Sequence, residues 1–572
     1  MIYAKIFLKN KKIFLLYIIM ILFLFVYLLQ CSYHNIFQYK SMQTILYHIL
    51  DAQYPLFIGM LFISYDFFSC ILHSDLKEMI ASLEKGNYKT YQGLFQCLMF
   101  CNALMFLMET GTFFLNAYFL NFKDVDFLWY SIKCMLIYGF GVHVFAILYA
   151  ACMANLKQYW LGCISLLFPV FLNSSFFMED VLSNTKWHTK TEGAIYSTRR
   201  IFENFYILPD GLRAEENSWY HVSILYPHVS RLLFWIVLAG IFIFIFSLQY
   251  RRASAFIKNI AGIIAMILVV SLGISTTGVF SDFIPNMDPS GSWQEAKNYY
   301  VNDTAEQLEE AEKFTILSYK INMTIKRQLE MVVEMTLSEN KQTQYHFTLS
   351  HNYKLKEVMN REGQVLEFIQ DGDYITVSTE KALNTIIFTY AGYSPMYYAN
   401  SQGVCLPAYY CFYPRAGSIP VYNKKENTDK GYISNFVNEN TAFDVSITNP
   451  NLQYYSNLRE YETGHYKGQA DGFSLFAGFI CEHEYDGITV LYATRDAFEL
   501  SESEIRKNIK NLRKLGLHDH TWIVIMPYPT CKGMNIGDKQ IYVSSIYNIQ
   551  EDYQKYLELH SDIIPYDMAG EE

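Results

Sequence analysis

Apolar residues fall along this chain in two unlike rhythms. Up to about residue 280, Phe, Leu, Ile, Met and Tyr run together in long stretches with sparse charge, whereas beyond it short segments alternate apolar with polar positions. A bilayer core about 30 Å thick takes roughly 17 to 25 apolar residues as helix. Seven runs meet that length: Ile13 to Leu29, Pro55 to Leu72, Leu94 to Phe119, Met135 to Met153, Trp160 to Met178, Leu232 to Gln249 and Ile260 to Val279. The pattern predicts an α-helical polytopic membrane domain of about seven spans over residues 1–281. No small-residue cleavage site follows the first run, so it reads as an uncleaved span.

Residues 282–312 mix Pro, Gly and acidic residues without apolar periodicity and read as a linker. From 313 to 495 the segments "FTILSYKINMTI", "QLEMVVEMTLS", "GQVLEFIQDGDYITVS", "NTIIFTYAG", "AFDVSITNP" and "GITVLYATRD" are rich in β-branched and aromatic residues and separated by turn signals such as Asp371-Gly372. They predict a mainly β domain, a saddle or sandwich. Residues 496–572 form a small α/β end: Ser501 and Glu504 have capping-box spacing, Ile505, Ile509 and Leu512 line one helix face, Gly516 stops the helix, and the strand "TWIVIMPYP" follows.

Composition adds little to this division but excludes some functions. A formal charge of −10 over 572 residues gives no basic face for phosphates and argues against nucleic acid as a partner. Seven of the eleven cysteines lie in or beside the apolar runs, where Cys packs as a small hydrophobe. The other four are scattered without a Cys-x-x-Cys pair, and a bridge between Cys405 and Cys411 is geometrically open. Lysines and arginines set the orientation. With the N-terminus in the cytoplasm, inner segments hold Lys5, Lys9, Lys11, Lys12, Lys77, Lys85, Lys89, Lys157, Arg251, Arg252 and Lys258, and short outer loops only Lys40, Lys123 and Lys133. Seven crossings then place the β domain on the outer face of the cell membrane.

Between the second and third runs, "SDLKEMIASLEKGNYKT" spaces Leu76, Met79, Ile80 and Leu83 on one apolar stripe, with Asp75, Lys77 and Glu78 on the charged side. Such a helix can lie in the membrane interface or dock into a cytoplasmic ATPase. The layout of basic N-terminus, two spans around an outer loop, this amphipathic cytoplasmic helix, three further spans, a broad outer loop and a sixth span resembles the permease subunit of a type-2 ABC transporter over about residues 1–250. The resemblance implies a coupling helix at Asp75 to Leu83, separate ATPase subunits holding ATP and magnesium, and a second permease subunit, identical or not. No Gly-x-x-x-x-Gly-Lys-Ser/Thr loop occurs in the chain, so no cofactor site of its own is expected. Asp66, Glu109 and His143 fall inside predicted spans; such groups cost at least a few kcal/mol unless paired or wet, and mark a substrate path or subunit interface, or else bond within the bundle.

In the outer half, the order "AFDVSITNP", helix, "WIVIMP" and then "YPTCKGMNIGDKQIYVSS" resembles the front part of the zinc aminopeptidases related to aminopeptidase N. In that family a Gly-x-Met-Glu-Asn loop shapes the substrate cleft and its Glu holds the peptide's amino group. Gly533 and Met534 fit, but Asn535 stands in place of the carboxylate. The zinc motif His-Glu-x-x-His does not occur in the sequence. His483 and Glu484 are followed by Asp486-Gly487, and His518 and His520 lie only two apart, without the four-residue helical spacing of that motif. The segment "YLELHSDIIPYDMAGEE" stands where the zinc helix would begin. The expected function is therefore an exporter permease with an outer β domain for substrate or partner, without metal or catalytic residues. The alternative is a membrane-anchored binding or sensing protein.

Overall fold

The computed structural model describes residues 2–74, 86–156, 158–174, 206–208, 226–247, 308–326, 328–394, 396–422, 435–437, 441–493, 502–517, 519–527 and 534–544, with isolated positions including Met79, Ser82, Trp219, Ile224, Ile260, Gly262, Ile264, Ile267, Tyr299, Tyr300, Tyr553 and Gln554. The chain forms two compact units. One comprises residues 1–212 and 222–284, the other residues 213–221 and 285–572.

The first unit is helical: α1 (Ile2–Lys9), α2 (Lys11–His34) continuing into a π-helical stretch (Asn35–Tyr39), α3 (Met42–Asp51), α4 (Gln53–Leu72), α5 (Gly86–Phe119), α6 (Val125–Cys134) continuing through a second π-helical stretch (Met135–Gly141) into α7 (Val142–Met153), α8 (Tyr159–Leu172) and α9 (Tyr226–Ser247). Local signals set the starts. Asn10, Ser41 and Asp124 cap α2, α3 and α6 by accepting from the backbone N–H groups of Ile13, Thr44 and Phe127. Leu15, Ile19, Leu22, Phe23 and Val26 stay exposed along α2, which suits a helix whose solvent is lipid.

Among the described residues four helical segments, Lys11–Tyr39, Met42–Leu72, Gly86–Phe119 and Val125–Met153, are long and apolar enough to cross a membrane. This corrects the expected seven. The run from Trp160 to Met178 yields only the 14 residues of α8, with Pro169 inside the helix; at 1.5 Å per residue that is about 21 Å, short of the hydrocarbon core. The run from Leu232 to Gln249 falls within α9, whose stretch Val229–Ile245 is apolar but shorter than the four. The run from Ile260 to Val279 lies outside the described residues except at four helical positions. The parity argument that put the β half outside the cell falls with the count.

The second unit is mainly β. A seven-stranded sheet is formed, in spatial order, by β12 (Arg459–Glu462), β13 (His465–Ala470), β10 (Thr441–Thr448), β1 (Ile316–Ile325), β2 (Leu329–Leu337), β7 (Thr385–Gly392) and β4 (Tyr353–Asn360), with β1 parallel to β10 and antiparallel to β2. Along β2 the alternation is complete: Leu329, Met331, Val333, Met335 and Leu337 are all buried, the period of a strand covered on one face. A four-stranded sheet is formed in order by β5 (Glu367–Asp371), β6 (Tyr374–Ser378), β3 (Gln344–Thr348) and β9 (Arg415–Ala416), and a three-stranded one by β11 (Tyr454–Ser456), β14 (Leu475–Ala477) and β8 (Val404–Leu406). Cys405 and Cys411 are buried and not bridged to each other; burial pushes the Cys411 thiol up to about 11.

The α/β end is a mixed sheet ordered β15-β16-β17-β19-β18, formed by Ile480–Tyr485, Ile488–Ala493, Trp522–Ile525, Gln540–Val543 and Met534–Ile536 in that order, and covered by helix α10 (Glu502–Lys514). Ile505, Ile509 and Leu512 of α10 bury against Val490, Ile523 and Ile541, as their spacing predicts. Within 282–312, Tyr299 stacks on His351 at 3.5 Å, Tyr300 stacks on Tyr422 at 4.7 Å, and Glu310 pairs with Ser418.

Candidate functional site

Helix α5 buries Leu94, Leu98, Cys101, Asn102, Met105, Glu109, Phe113, Asn116 and Ala117, a stripe of three- and four-residue steps. Three of its members, seven residues apart, are polar. Asn102, Glu109 and Asn116 are 0%, 1% and 0% exposed, and their 14-residue separation corresponds to about 21 Å along the helix. In hydrocarbon a polar side chain must find a partner inside the protein, and each of the three finds its own.

Asn102 Oδ1 lies 3.0 Å from His143 Nδ1, and Asn102 Nδ2 donates to the Phe140 carbonyl at 3.1 Å. Glu109 Oε1 accepts from Gln53 Nε2 at 2.9 Å. Asn116 Oδ1 accepts from Asn35 Nδ2 at 3.1 Å, while its own Nδ2 donates to Ser32 Oγ and the Thr112 carbonyl, each at 2.9 Å. Both π-helical stretches touch this ladder. Asn35 opens the first, and the second supplies the Phe140 carbonyl and Gly139, where a Cβ would stand 3.1 Å from Glu109 Oε2 and 3.4 Å from Gln53 Oε1. Gly139 therefore allows the helix to approach the carboxylate closely. Two buried atoms of the ladder, Gln53 Oε1 and His143 Nε2, have no hydrogen-bond partner, an arrangement that costs about 1–3 kcal/mol per group.

The structure thus brings two of the three charged or ionisable candidates to one helix seam and separates the third. Asp66 accepts from Lys12 Nζ and from Tyr159 Oη, both at 2.7 Å, which ties the starts of α2 and α8 to α4. Sequence reasoning passed over Gln53, Asn102 and Asn116 because they are uncharged. The seven-residue recurrence 102, 109, 116 is the signal that could have found the two asparagines.

Of the proposed coupling helix, Asp75, Leu76, Lys77, Glu78, Ile80 and Leu83 lie outside the described residues. Met79 is helical and 67% exposed, and its carbonyl accepts from Ser82 Oγ at 2.7 Å.

In the second unit Met534 and Asn535 lie on β18, at the edge of the mixed sheet with β19 as the neighbouring strand; Gly533 lies outside the described residues. Met534 packs into the α10 core and Asn535 stands opposite Tyr542. The turn after them is pinned by a carboxylate that sequence reasoning missed. Asp471 Oδ2 accepts from the Asp538 N–H at 2.6 Å and Oδ1 accepts from Gln540 Nε2 at 2.5 Å; Tyr542 Oη donates to Gln540 Oε1 at 2.6 Å and accepts from the Ala408 N–H at 3.2 Å. Burial raises the Asp471 pKa, and the bonds from Gln540 and Asp538 work against that rise. His483 is exposed on β15, and His520 Nε2 lies 2.8 Å from the Gly537 carbonyl. Among the described residues no three His, Cys, Asp or Glu side chains gather as metal ligands.

No protein-family model matches the chain, and no curated protein matches it in sequence. Among solved structures it is similar to an M1 zinc metallopeptidase from Deinococcus radiodurans, at 10% identity and a TM-score of 0.31 over 43% of this chain and 65% of that one. It is also similar to an aminopeptidase N family protein from Idiomarina loihiensis, at 9% identity and a TM-score of 0.24 over 42% of this chain and 46% of that one. The chain therefore spans less than two thirds of the length of these structures.

Proposed function

We propose that this chain is the membrane-spanning subunit of an ATP-driven exporter of the type-2 ABC permease kind. It works in the cell membrane with separate ATPase subunits that hold ATP and magnesium, and with a second permease subunit. The observation that supports this most is the buried ladder Asn102, Glu109, Asn116. A helix that only anchors a domain in lipid gains nothing from three buried polar steps, whereas a transport path needs polar groups at membrane depth. The π-helical stretches at both ends of the ladder are register faults of the kind that accompany functional sites in helices. In this reading Glu109 and His143 line the path, and Asp66 fixes the bundle by its ion pair with Lys12. The helix over Asp75 to Leu83 transmits ATPase closure into the bundle, producing alternating access, with Leu76, Met79, Ile80 and Leu83 as its docking stripe.

The second unit in this account is a recognition domain. Its edge strand with Met534 and Asn535 is of aminopeptidase ancestry, without the amine-binding carboxylate and without peptidase activity. The finding of four membrane-capable helices beside a large β unit favours a second reading, that of a membrane-anchored binding or sensing protein. Affinity purification of the full chain from its native membrane separates the two. The exporter reading expects an ABC ATPase in the complex, lost on Leu76→Asp with Met79→Asp. A complex without an ATPase supports the anchor reading, and an ATPase retained by the double variant overturns the coupling helix.

A further inference from the structure

One core residue of the β unit comes from a part of the chain that lies, in sequence, between two helices of the membrane unit. Residues 213–221 belong to the same compact unit as residues 285–572, although they fall between Leu172 at the end of α8 and Tyr226 at the start of α9. Within them Trp219 is 0% exposed. Its indole meets Phe476 of β14 edge to face at 5.3 Å, and its carbonyl accepts from the Phe479 N–H at 3.1 Å. The seat is shaped for this contact. Gly478 holds φ at 141°, and a Cβ there would stand 2.5 Å from the Trp219 carbonyl oxygen, so only glycine leaves room for the incoming backbone. A fully buried indole, a backbone hydrogen bond and a glycine seat are three separate marks of a built contact.

A folded β unit cannot be threaded through a bilayer, so residue 219 and residues 285–572 share one side of the membrane. The chain between 222 and 284 then crosses an even number of times. The 22 residues of α9 extend for about 33 Å, and the apolar run from Ile260 to Val279 is of spanning length. We propose that Trp219 latches its stretch of chain, residues 213–221, into the β unit, with α9 as a crossing, so that the chain returns before residue 285 to the side it left. The latch gives the β unit a second covalent connection to the helical part of the chain besides the one at 284 and 285. The inference does not rest on the exporter reading, since it follows from chain connectivity alone.

Side-specific labelling of the full chain tests it. Cysteine replaces Thr189, Ser254 or Tyr461, one at a time, in a background in which Cys70, Cys97, Cys163, Cys481 and Cys531 are changed to Ser, and a membrane-impermeant maleimide is applied before and after permeabilisation. Tyr461 is 72% exposed on the β unit. The expected pattern is Thr189→Cys and Tyr461→Cys labelled from one side and Ser254→Cys from the other; any other pattern overturns the proposal. The latch has its own readout. Trp219→Ala is expected to speed tryptic cleavage after Arg213 roughly tenfold by local opening, with Trp219→Phe as the milder variant where the first does not fold. Cleavage at the unaltered rate in both variants overturns it.

Discussion

Glu109 occupies the middle step of the α5 ladder, and its two closest replacements separate charge from hydrogen bonding. Glu109→Gln keeps an acceptor for Gln53 Nε2, whereas Glu109→Leu removes it and leaves that amide with the Ile49 carbonyl alone. Hydrogen bonds inside membrane bundles are worth about 0.6 to 1.7 kcal/mol, so Glu109→Leu is expected to lower thermal stability in detergent by that amount, with Glu109→Gln within about 0.5 kcal/mol of the parent by the same scale. Equal melting of all three proteins would contradict the bond. Asp471 makes a prediction in pH. Its folded pKa is raised above the ordinary 3.8 by burial, so the folded chain binds the proton more tightly than the unfolded one. Its contribution to stability is present below 3.8 and is lost as pH rises through the folded value. Unfolding midpoints of the chain across mildly acidic pH should fall with rising pH through this group, and Asp471→Asn should flatten that slope.

At the scale of elements, the close packing of α5 against the stretch Met135–Gly141 depends on Gly139. Gly139→Val places two methyl groups where a Cβ alone is already 3.1 Å from Glu109 Oε2, and overpacking of this kind costs about 1–3 kcal/mol. Thermal denaturation in detergent measures the loss, and a stability equal to the parent would show that the helices part without cost. In the α/β end Ile509 is fully buried, and Ile509→Ala should cost about 2–5 kcal/mol, read from the denaturation midpoint of the full chain. Elements of this sort were plain in the sequence. The alternation of β2 and the stripe Ile505, Ile509, Leu512 are local patterns repeated within one element, and the first four apolar runs became the four membrane-length segments. The fifth run was misread because hydropathy counts residues without asking where a helix stops, and α8 stops at Leu172 after Pro169.

At the scale of the whole molecule, what escaped the sequence is what joins distant segments. The carboxylate of Asp471 and the amide of Gln540 are 69 residues apart, Gln53 and Glu109 are 56 apart, and no local period announces either pair. Trp219 is the extreme case, a single indole in a loop whose partner strand begins at Leu475. Residue type alone was an incomplete guide: charge picked out Asp66, which pairs with Lys12, but not the uncharged Asn102 and Asn116, which share the ladder with Glu109. The ladder, the Asp75–Leu83 helix and the partner ATPase make one account of the molecule as a transport subunit, and it is tested most directly by ATP hydrolysis in the complex purified through this chain. That account predicts hydrolysis by a co-purifying ATPase that falls at least about tenfold in Glu109→Leu, a change of about 1.4 kcal/mol, with the ATPase still bound. A complex without ATPase, or one whose hydrolysis is the same with and without Glu109, would contradict it.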